Sequence, residues 1–393
     1  MTGHPTTPRF SYWEQQSFFG PAEVVVVGAG LVGLTTAVYV KERRPDWRVT
    51  VLERGLLPTG ASTKNAGFAC FGSVSELIEQ ERRGNLLAVV EARWEGLRRL
   101  RELLSDDAIC YEPVGNYEIF RDEDEDLART CLERLAYYDE LLAPALGTSR
   151  IYHDATYRAP EFGFRGVRAI VANAHEGALD TGRMMLALLA RAWAAGVTVL
   201  PGCGAEYLET SPDGTTAVLT AAGPTIRAGR VIVATNAFVP ELLPELAHVA
   251  PGRGQVLVTE PLPELAPWPG PIHYDRGYTY GRCLPPVPGE AGPRVLLGGG
   301  RHLDFQAEAT TAPGLTAAVQ AYLEHLLAAA LLPNRPAPRI DYRWSGVMAF
   351  GAALEPIVEW VRPGVLAAVR CNGMGVAMGA GTGWRAAQVV VAG

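Results

Sequence analysis

Residues 24–53 read VVVVGAGLVGLTTAVYVKERRPDWRVTVLE, and this stretch decides the fold. Four valines, Val24 to Val27, lead into Gly28-Ala-Gly30-Leu-Val-Gly33, and Glu53 closes a second apolar run twenty positions after the last glycine. The pattern predicts a strand, a glycine turn, a helix and a second strand. Gly28 permits the tight turn, Gly30 lets the backbone approach a pyrophosphate, and Gly33 lets helix and strand pack closely. The first N–H groups of the helix, at Leu31 and Val32, and the positive end of its dipole then face the phosphates. Glu53 accepts from a ribose 2′-OH and repels a 2′-phosphate, which favours FAD or NAD over NADP. The glycines alone would also fit a structural turn; the flanking strand, helix and acid favour a dinucleotide.

The chain has 393 residues, which predicts two domains, and its hydrophobic content of 48% with 20% charged residues suits a globular enzyme. A formal charge of -7, with no basic patch, argues against nucleic acid. The first twenty residues read as a polar, aromatic arm without signal-peptide features, and no apolar run is long enough for a membrane span, so a cytoplasmic protein is expected. Six scattered cysteines form no C-x-x-C pair and are expected to be reduced thiols; no metal site is expected. Only two lysines occur, Lys41 and Lys64.

Periodicity predicts one helix over 74–104, a strand near 115–120, a helix from Asp122 to Leu142, a strand over 167–173 and a helix over 182–195. A hairpin around Pro212-Asp-Gly214 precedes a buried strand, 230–236. Strands follow at 256–259, 273–282 and 294–299, then an apolar helix over 313–332 and a last helix over about 382–391. Glycine-rich residues 54–73 suit neither a helix interior nor a strand: they are either a plain loop or backbone running against a ligand.

Besides the fingerprint, the chain carries Gly60-Ala-Ser-Thr-Lys-Asn-Ala-Gly67, Glu176-Gly-Ala-Leu-Asp-Thr-Gly-Arg183, Val233-Ala-Thr-Asn236, Trp344-Ser-Gly346 and Asn372-Gly-Met-Gly375 in that order. Together these resemble the FAD-dependent amine and amino-acid oxidoreductases, the superfamily of glycine oxidase, D-amino-acid oxidase, monomeric sarcosine oxidase and gamma-glutamylputrescine oxidase. The resemblance implies an α/β protein, α+β overall, with a Rossmann-type FAD-binding domain and an interleaved antiparallel-sheet substrate domain. The expected FAD-binding domain comprises 20–80, 165–240 and 340–393; the substrate or cap domain comprises 81–164 and 241–339.

By the same resemblance, Ala61, Ser62, Thr63, Lys64 and Asn65 run along the pyrophosphate and ribityl chain, with Ser62 donating to phosphate, and Ala66 and Gly67 approach the flavin. Arg54 and Ala205 are further expected cofactor contacts, and Ala234 and Thr235 either pack near the adenosine half or are simply a strand terminus, the first being preferred. Gly346 and the segment Asn372, Gly373, Met374, Gly375 and Val376 belong to the flavin half, where helix N–H groups stabilise charge at the N1–C2=O edge. Relatives that tether FAD through histidine carry it about where Asn65 stands, so non-covalent FAD is expected. Lys64 is either an aid to reaction with oxygen or a partner for phosphate or carboxylate, the second being preferred.

The arginine that grips a substrate carboxylate in glycine oxidase-like enzymes is replaced by Met348. Remaining cations are Arg282, in Tyr278-Thr-Tyr280-Gly-Arg282, and Arg301, next to His302; Tyr278 and Tyr280 share one side of an expected strand, facing either the flavin or ordinary sheet neighbours. The implied activity is oxidation of a primary or secondary amine or amino acid, with oxygen or an electron carrier as acceptor. Alternatives are a dehydrogenase passing electrons to a quinone or carrier, an NAD-dependent dehydrogenase and a non-catalytic flavin-binding protein. The loss of the arginine to Met348 raises polyamine substrates relative to small amino acids.

Overall fold

A computed structural model describes residues 10–393. The first nine residues of the expected N-terminal arm lie outside the described residues; Tyr12–Phe18 is a short helix capped by Ser11.

Ala22–Val27 forms the centre of a sheet in the order Ile357–Arg362, Val365–Val369, Thr225–Val233, Ala22–Val27, Val49–Leu52, Thr198–Leu200. All neighbours are parallel except the Ile357–Arg362 edge. The hairpin Ala205–Thr210 and Thr216–Thr220 extends Thr225–Val233. The valine run is buried throughout because both faces are covered. Val24 and Val26 join a core with the helix Leu31–Arg43, and Val25 and Val27 join the opposite one.

The second sheet, order Ile340–Phe350, Ala250–Thr259, Arg294–Gly299, Thr279–Leu284, Ile272–Tyr274, Asn116–Arg121, Val167–Asn173, Tyr152–Asp154, is antiparallel save for one pair. One face packs Leu257, Ile272, Tyr274, Val295 and Leu297 against the helix Ala317–Leu326 and its π-helical continuation to Leu331. The other faces the first sheet. Val167–Asn173 and Ile340–Phe350 both pair in this sheet.

Several elements are more broken than periodicity suggests. The expected helix over 74–104 is two, Val74–Arg83 and Leu86–Leu104, because Gly84 takes a left-handed φ of 77°. The expected helix from Asp122 is likewise two, Glu125–Glu133 and Leu135–Leu146. The strand expected over 273–282 is split by a turn in which Asp275 and Arg276 have φ of 50° and 56°. Asp275 accepts from Tyr322 and Thr279 and pairs with Arg121, which holds that turn. The last helix starts at Gly375, not near 382.

That last helix, Gly375–Ala392, crosses both Leu31–Arg43 and Leu86–Leu104 at glycines. A Cβ on Gly383 would collide with Thr35 Oγ1, and one on Gly96 with the Ala377 carbonyl oxygen. Backbone cannot yield as a side-chain tip does, so Gly96→Ala is expected to lower the unfolding free energy by about 1–3 kcal/mol in denaturant titration.

Candidate cofactor and substrate site

The site begins at the carboxyl ends of the parallel strands. Gly28 follows Val27 with φ 105°, and a Cβ there would stand 2.8 Å from the Ala234 carbonyl oxygen. A Cβ on Gly33 would strike the Gly28 carbonyl oxygen, so helix and turn touch backbone to backbone. Gly30 caps the helix, and its Cβ position is 3.0 Å from Ser62 Oγ. Ser62 Oγ accepts from the Leu31 N–H at 2.8 Å; the Val32 and Gly33 N–H groups have no acceptor among the described residues. Glu53 is nearly buried, its carboxylate accepting from the N–H groups of Ala29 at 3.1 Å and Gly55 at 2.8 Å. Beside Gly28, the buried Thr235 hydroxyl has no partner among the described residues, a polar group that a ligand at this edge would satisfy. Arg54 lies over the Phe238 ring at 3.9 Å and packs beside Gly204 and the Ala205 strand. A cradle of free helix N–H groups, glycine surface and one orphaned hydroxyl fits a dinucleotide.

The Gly60–Gly67 segment continues from there. Ala61–Lys64 makes a single helical turn, and Thr63 donates to the Pro58 carbonyl. Asn65 bonds the carbonyls of Ser62 and Ala61, while its Oδ1 accepts from the Gly67 N–H and the Thr181 hydroxyl. Asn65 is thus a brace within the loop. Gly67, with φ 76°, threads between Leu179 and Arg282, where any Cβ would clash. The Trp344 indole N–H donates to the Lys64 carbonyl at 2.9 Å, and the Gly346 Cβ position is 3.0 Å from Lys64 Cβ. The Lys64 ammonium has no hydrogen bond or ion pair among the described residues.

Strand register defines what faces this loop. Met348 opposes Gly252, Gly346 opposes Gly254, Trp344 opposes Val256, Val256 opposes Gly298, Gly298 opposes Tyr280 and Tyr280 opposes His273. Opposed residues share a face, so these side chains form one wall. Four of its positions, Gly252, Gly254, Gly298 and Gly346, carry no side chain, and the rings of Phe350 and Tyr280 lie over Gly252 and Gly298. The Met348 methyl and the Tyr280 hydroxyl are 3.0 and 3.8 Å from the Gly254 Cβ position. Met348 Sδ and the Phe350 ring are 3.8 and 3.7 Å from that of Gly373. The wall therefore reaches the N-terminus of the last helix, where Gly375 is open and Val376 is buried. Asn372 itself points away: its side chain ties the carbonyls of Ala353 and Leu354 to the Gly351 N–H.

Three pocket candidates part company. Tyr280 is on the wall, and burial pushes its hydroxyl up to about 12. Tyr278 is not on the strand; it belongs to the Asp275 turn, 37% exposed, and stacks with His302 and Phe305. Arg282 is buried and donates to the carbonyls of Leu179 at 2.8 Å and Gly67 at 3.1 Å. It clamps the flavin-approach loop rather than offering its charge to a substrate.

His273, unremarkable in sequence, also faces the wall: its ring is 5.1 Å from Phe68, which is 5.5 Å from Tyr280. Asn116 donates to Cys70 Sγ, so its Oδ1 accepts from His273 Nδ1 at 2.9 Å and leaves Nε2 as the acceptor. Burial holds His273 neutral, its pKa lowered to about 4. Only cross-strand register reveals this residue. Behind it, Glu118 bonds Ser75, and Glu176 accepts from the N–H groups of Phe71 and Gly72. Burial raises both carboxyls to about 7. A concavity of about 660 Å³ around Gly214, Trp360 and Gly364 lies by the strand and hairpin turns away from this edge.

This fold and edge define a flavin-type oxidoreductase, and the comparisons agree. The chain belongs to the DAO family of FAD-dependent oxidoreductases, whose model matches residues 23–389. Among solved structures it is similar to glycine oxidase from Bacillus cereus, with 18% identity, TM-score 0.69, and 94% of this chain and 95% of that one covered. It is similar to L-proline dehydrogenase from P. horikoshii, with 16% identity, TM-score 0.73, and coverage of 95% and 94%. L-amino acid deaminase from Proteus myxofaciens, in complex with anthranilate, gives 16%, 0.71, and 95% and 90%. A curated relative, thiamine thiazole synthase from Schizosaccharomyces pombe, is 35% identical over 51 residues, 13% of this chain and 16% of that protein. No helix among the described residues is long and apolar enough to cross a membrane.

Raised carboxyl pKa values have a stability consequence. Folded Glu118 keeps its proton between its ordinary 4.5 and about 7, so its stabilising effect is full below 4.5 and is lost as pH rises through 7. Glu118→Gln removes this titration. Thermal unfolding from pH 5 to pH 8 should therefore show the parent losing Tm relative to Glu118→Gln; a constant difference refutes the buried neutral acid.

Proposed function

We propose that the protein oxidises the C–N bond of an amine or amino acid, using non-covalent FAD. The observation that carries this reading is the convergence of three backbone features, the Gly28–Gly33 edge, the Gly60–Gly67 loop and the Gly375 helix N-terminus, beneath a sheet wall whose four glycines let Phe350, Tyr280 and Met348 lie against it. A flavin dinucleotide, with its adenosine end at the first feature and its ring at the third, would use all three, whereas the adenosine half alone would use only the first.

Glu53 would hold the ribose, and Ser62 with the Val32 and Gly33 N–H groups the pyrophosphate. The helix N-terminus at Gly375 would stabilise negative charge at the pyrimidine edge. Bound FAD supplies the acceptor for a hydride leaving the carbon that bears nitrogen. The chain's part is to position the substrate. Met348, Phe350 and Tyr280 exclude water from the wall and so favour the neutral amine that can give up hydride, and His273 Nε2 offers an acceptor that orients an amine N–H. Water then hydrolyses the imine to a carbonyl compound and ammonia or a smaller amine. Oxygen or an electron carrier takes the electrons onward.

Purified holoprotein screened anaerobically with D-amino acids, N-methyl amino acids and polyamines should bleach with at least one class; oxidised flavin that none of them reduces would leave only a flavin-binding role. Because Lys64 lies on the loop that would follow the pyrophosphate, Lys64→Met should keep its rate of reoxidation by oxygen but lose FAD more readily on dilution. Slower reoxidation with intact FAD retention would instead assign Lys64 to the oxygen reaction.

A further inference from the structure

Arg301 is an arginine at the wall with no ion pair among the described residues; the Lys64 ammonium, on the facing loop, has none either. The other arginines of this sheet and its covering helix are paired: Arg253 with Glu308, Arg294 with Glu290 and Asp341, Arg343 with Glu324, Arg121 with Asp275. Arg282 is spent on backbone carbonyls. Arg301 has neither a carboxylate nor a carbonyl partner among the described residues. It follows Gly299 and Gly300, whose φ of 122° and 77° turn the chain sharply back at the end of the Arg294–Gly299 strand.

The guanidinium lies in an aromatic setting, its carbon 4.0 Å above the Phe350 ring, 5.1 Å from Phe305 and 5.7 Å from Tyr278. One nitrogen is 3.4 Å from the Gly252 Cβ position. The opposite edge of the same Phe350 ring borders Gly373, so Arg301 stands one phenyl ring away from the flavin-side helix terminus. Partial burial pulls its pKa down. A half-buried guanidinium is costly when unpaired, and its planar fork matches a carboxylate.

Resting on the amine-oxidation reading above, we infer that Arg301 is the carboxylate anchor of the substrate site. It replaces, from a different strand, the cation that Met348 lacks. The substrate class is then an amino acid or an N-substituted amino acid bearing a free carboxylate, not a polyamine. Stacking on Phe350 keeps the guanidinium plane fixed, so the fork is set before substrate arrives.

Equilibrium titration of the oxidised holoprotein tests this without turnover. Benzoate should perturb the flavin absorption and its neutral isostere benzamide should not. In Arg301→Met, benzoate binding should weaken about 10- to 100-fold, the loss expected for charge-assisted hydrogen bonds, with FAD content unchanged. Arg301→Lys, which keeps the charge but not the fork, should fall between. Equal binding of benzoate and benzamide, no perturbation by either, or benzoate binding unaltered in Arg301→Met overturns the assignment. If the amine panel fails to bleach flavin while benzoate still depends on Arg301, the anchor stands and the proposed oxidation falls. If only amines without a carboxylate bleach it, the oxidation stands and the anchor falls.

Discussion

The structure depends on the contact between Gly33 and the Gly28 carbonyl. With no Cβ at either position, the helix Leu31–Arg43 comes down onto the strand it follows, and its first N–H groups are brought to the carboxyl edge of the sheet. That edge then collects the other polar parts: Glu53 bonded to Ala29 and Gly55, Ser62 against Leu31, and the unpartnered Thr235 hydroxyl. The last helix repeats the device, since Gly379 and Gly383 let it lie against Leu31 and Thr35. Its N-terminus reaches the site because its middle lies so close to the fingerprint helix. A larger residue at either crossing would displace both helix ends together.

The second sheet is tied to this platform by bonds to backbone rather than by a broad apolar interface alone. Trp344 donates to the Lys64 carbonyl and Arg282 to those of Gly67 and Leu179, so two different strands grip the ends of one loop. Burying the Arg282 charge for this purpose is expensive, and desolvation lowers its pKa accordingly. What the arrangement achieves is position. The loop that would run beneath a flavin and the wall that would cover it are fixed relative to each other by side chains rooted in the wall itself.

Much of the cofactor half was legible in the sequence, and for a definite reason. A pyrophosphate is recognised by backbone, and backbone approach requires glycine at set intervals, which leaves a visible pattern. Val24–Val27, Gly28–Gly33 and Glu53 therefore mark their strand, turn and helix directly by their spacing, whereas the resemblance to the family rests on the motifs further along the chain as well. The substrate half leaves no such pattern. Tyr278 and Tyr280 alternate as strand neighbours should, yet the two non-glycine residues of positive φ at Asp275 and Arg276 take Tyr278 off the strand. Their conformation is supported by Arg121 and Tyr322, far apart in sequence. Arg282 and Arg301 look alike as lone arginines near glycines; only partners and burial separate a clamp from a free cation. His273 emerges only when its opposition to Tyr280 is known.

The composition of the wall bears on the chemistry it can support. Glycine at Gly252, Gly254, Gly298 and Gly346 lets Met348, Phe350 and Tyr280 lie close against the sheet, and these side chains keep the space beside them apolar. Such a space disfavours an ammonium ion, and the neutral His273, with its acceptor nitrogen fixed by Asn116, adds a place for an amine N–H without adding charge. The apolar surroundings favour the uncharged amine, the form whose C–H bond is able to release hydride. An arginine at the margin would hold a substrate by its carboxylate, and the neutral acceptor within would orient its nitrogen. The two groups stand on different segments, Arg301 in the turn that follows the paired glycines and His273 on its strand beside Phe68.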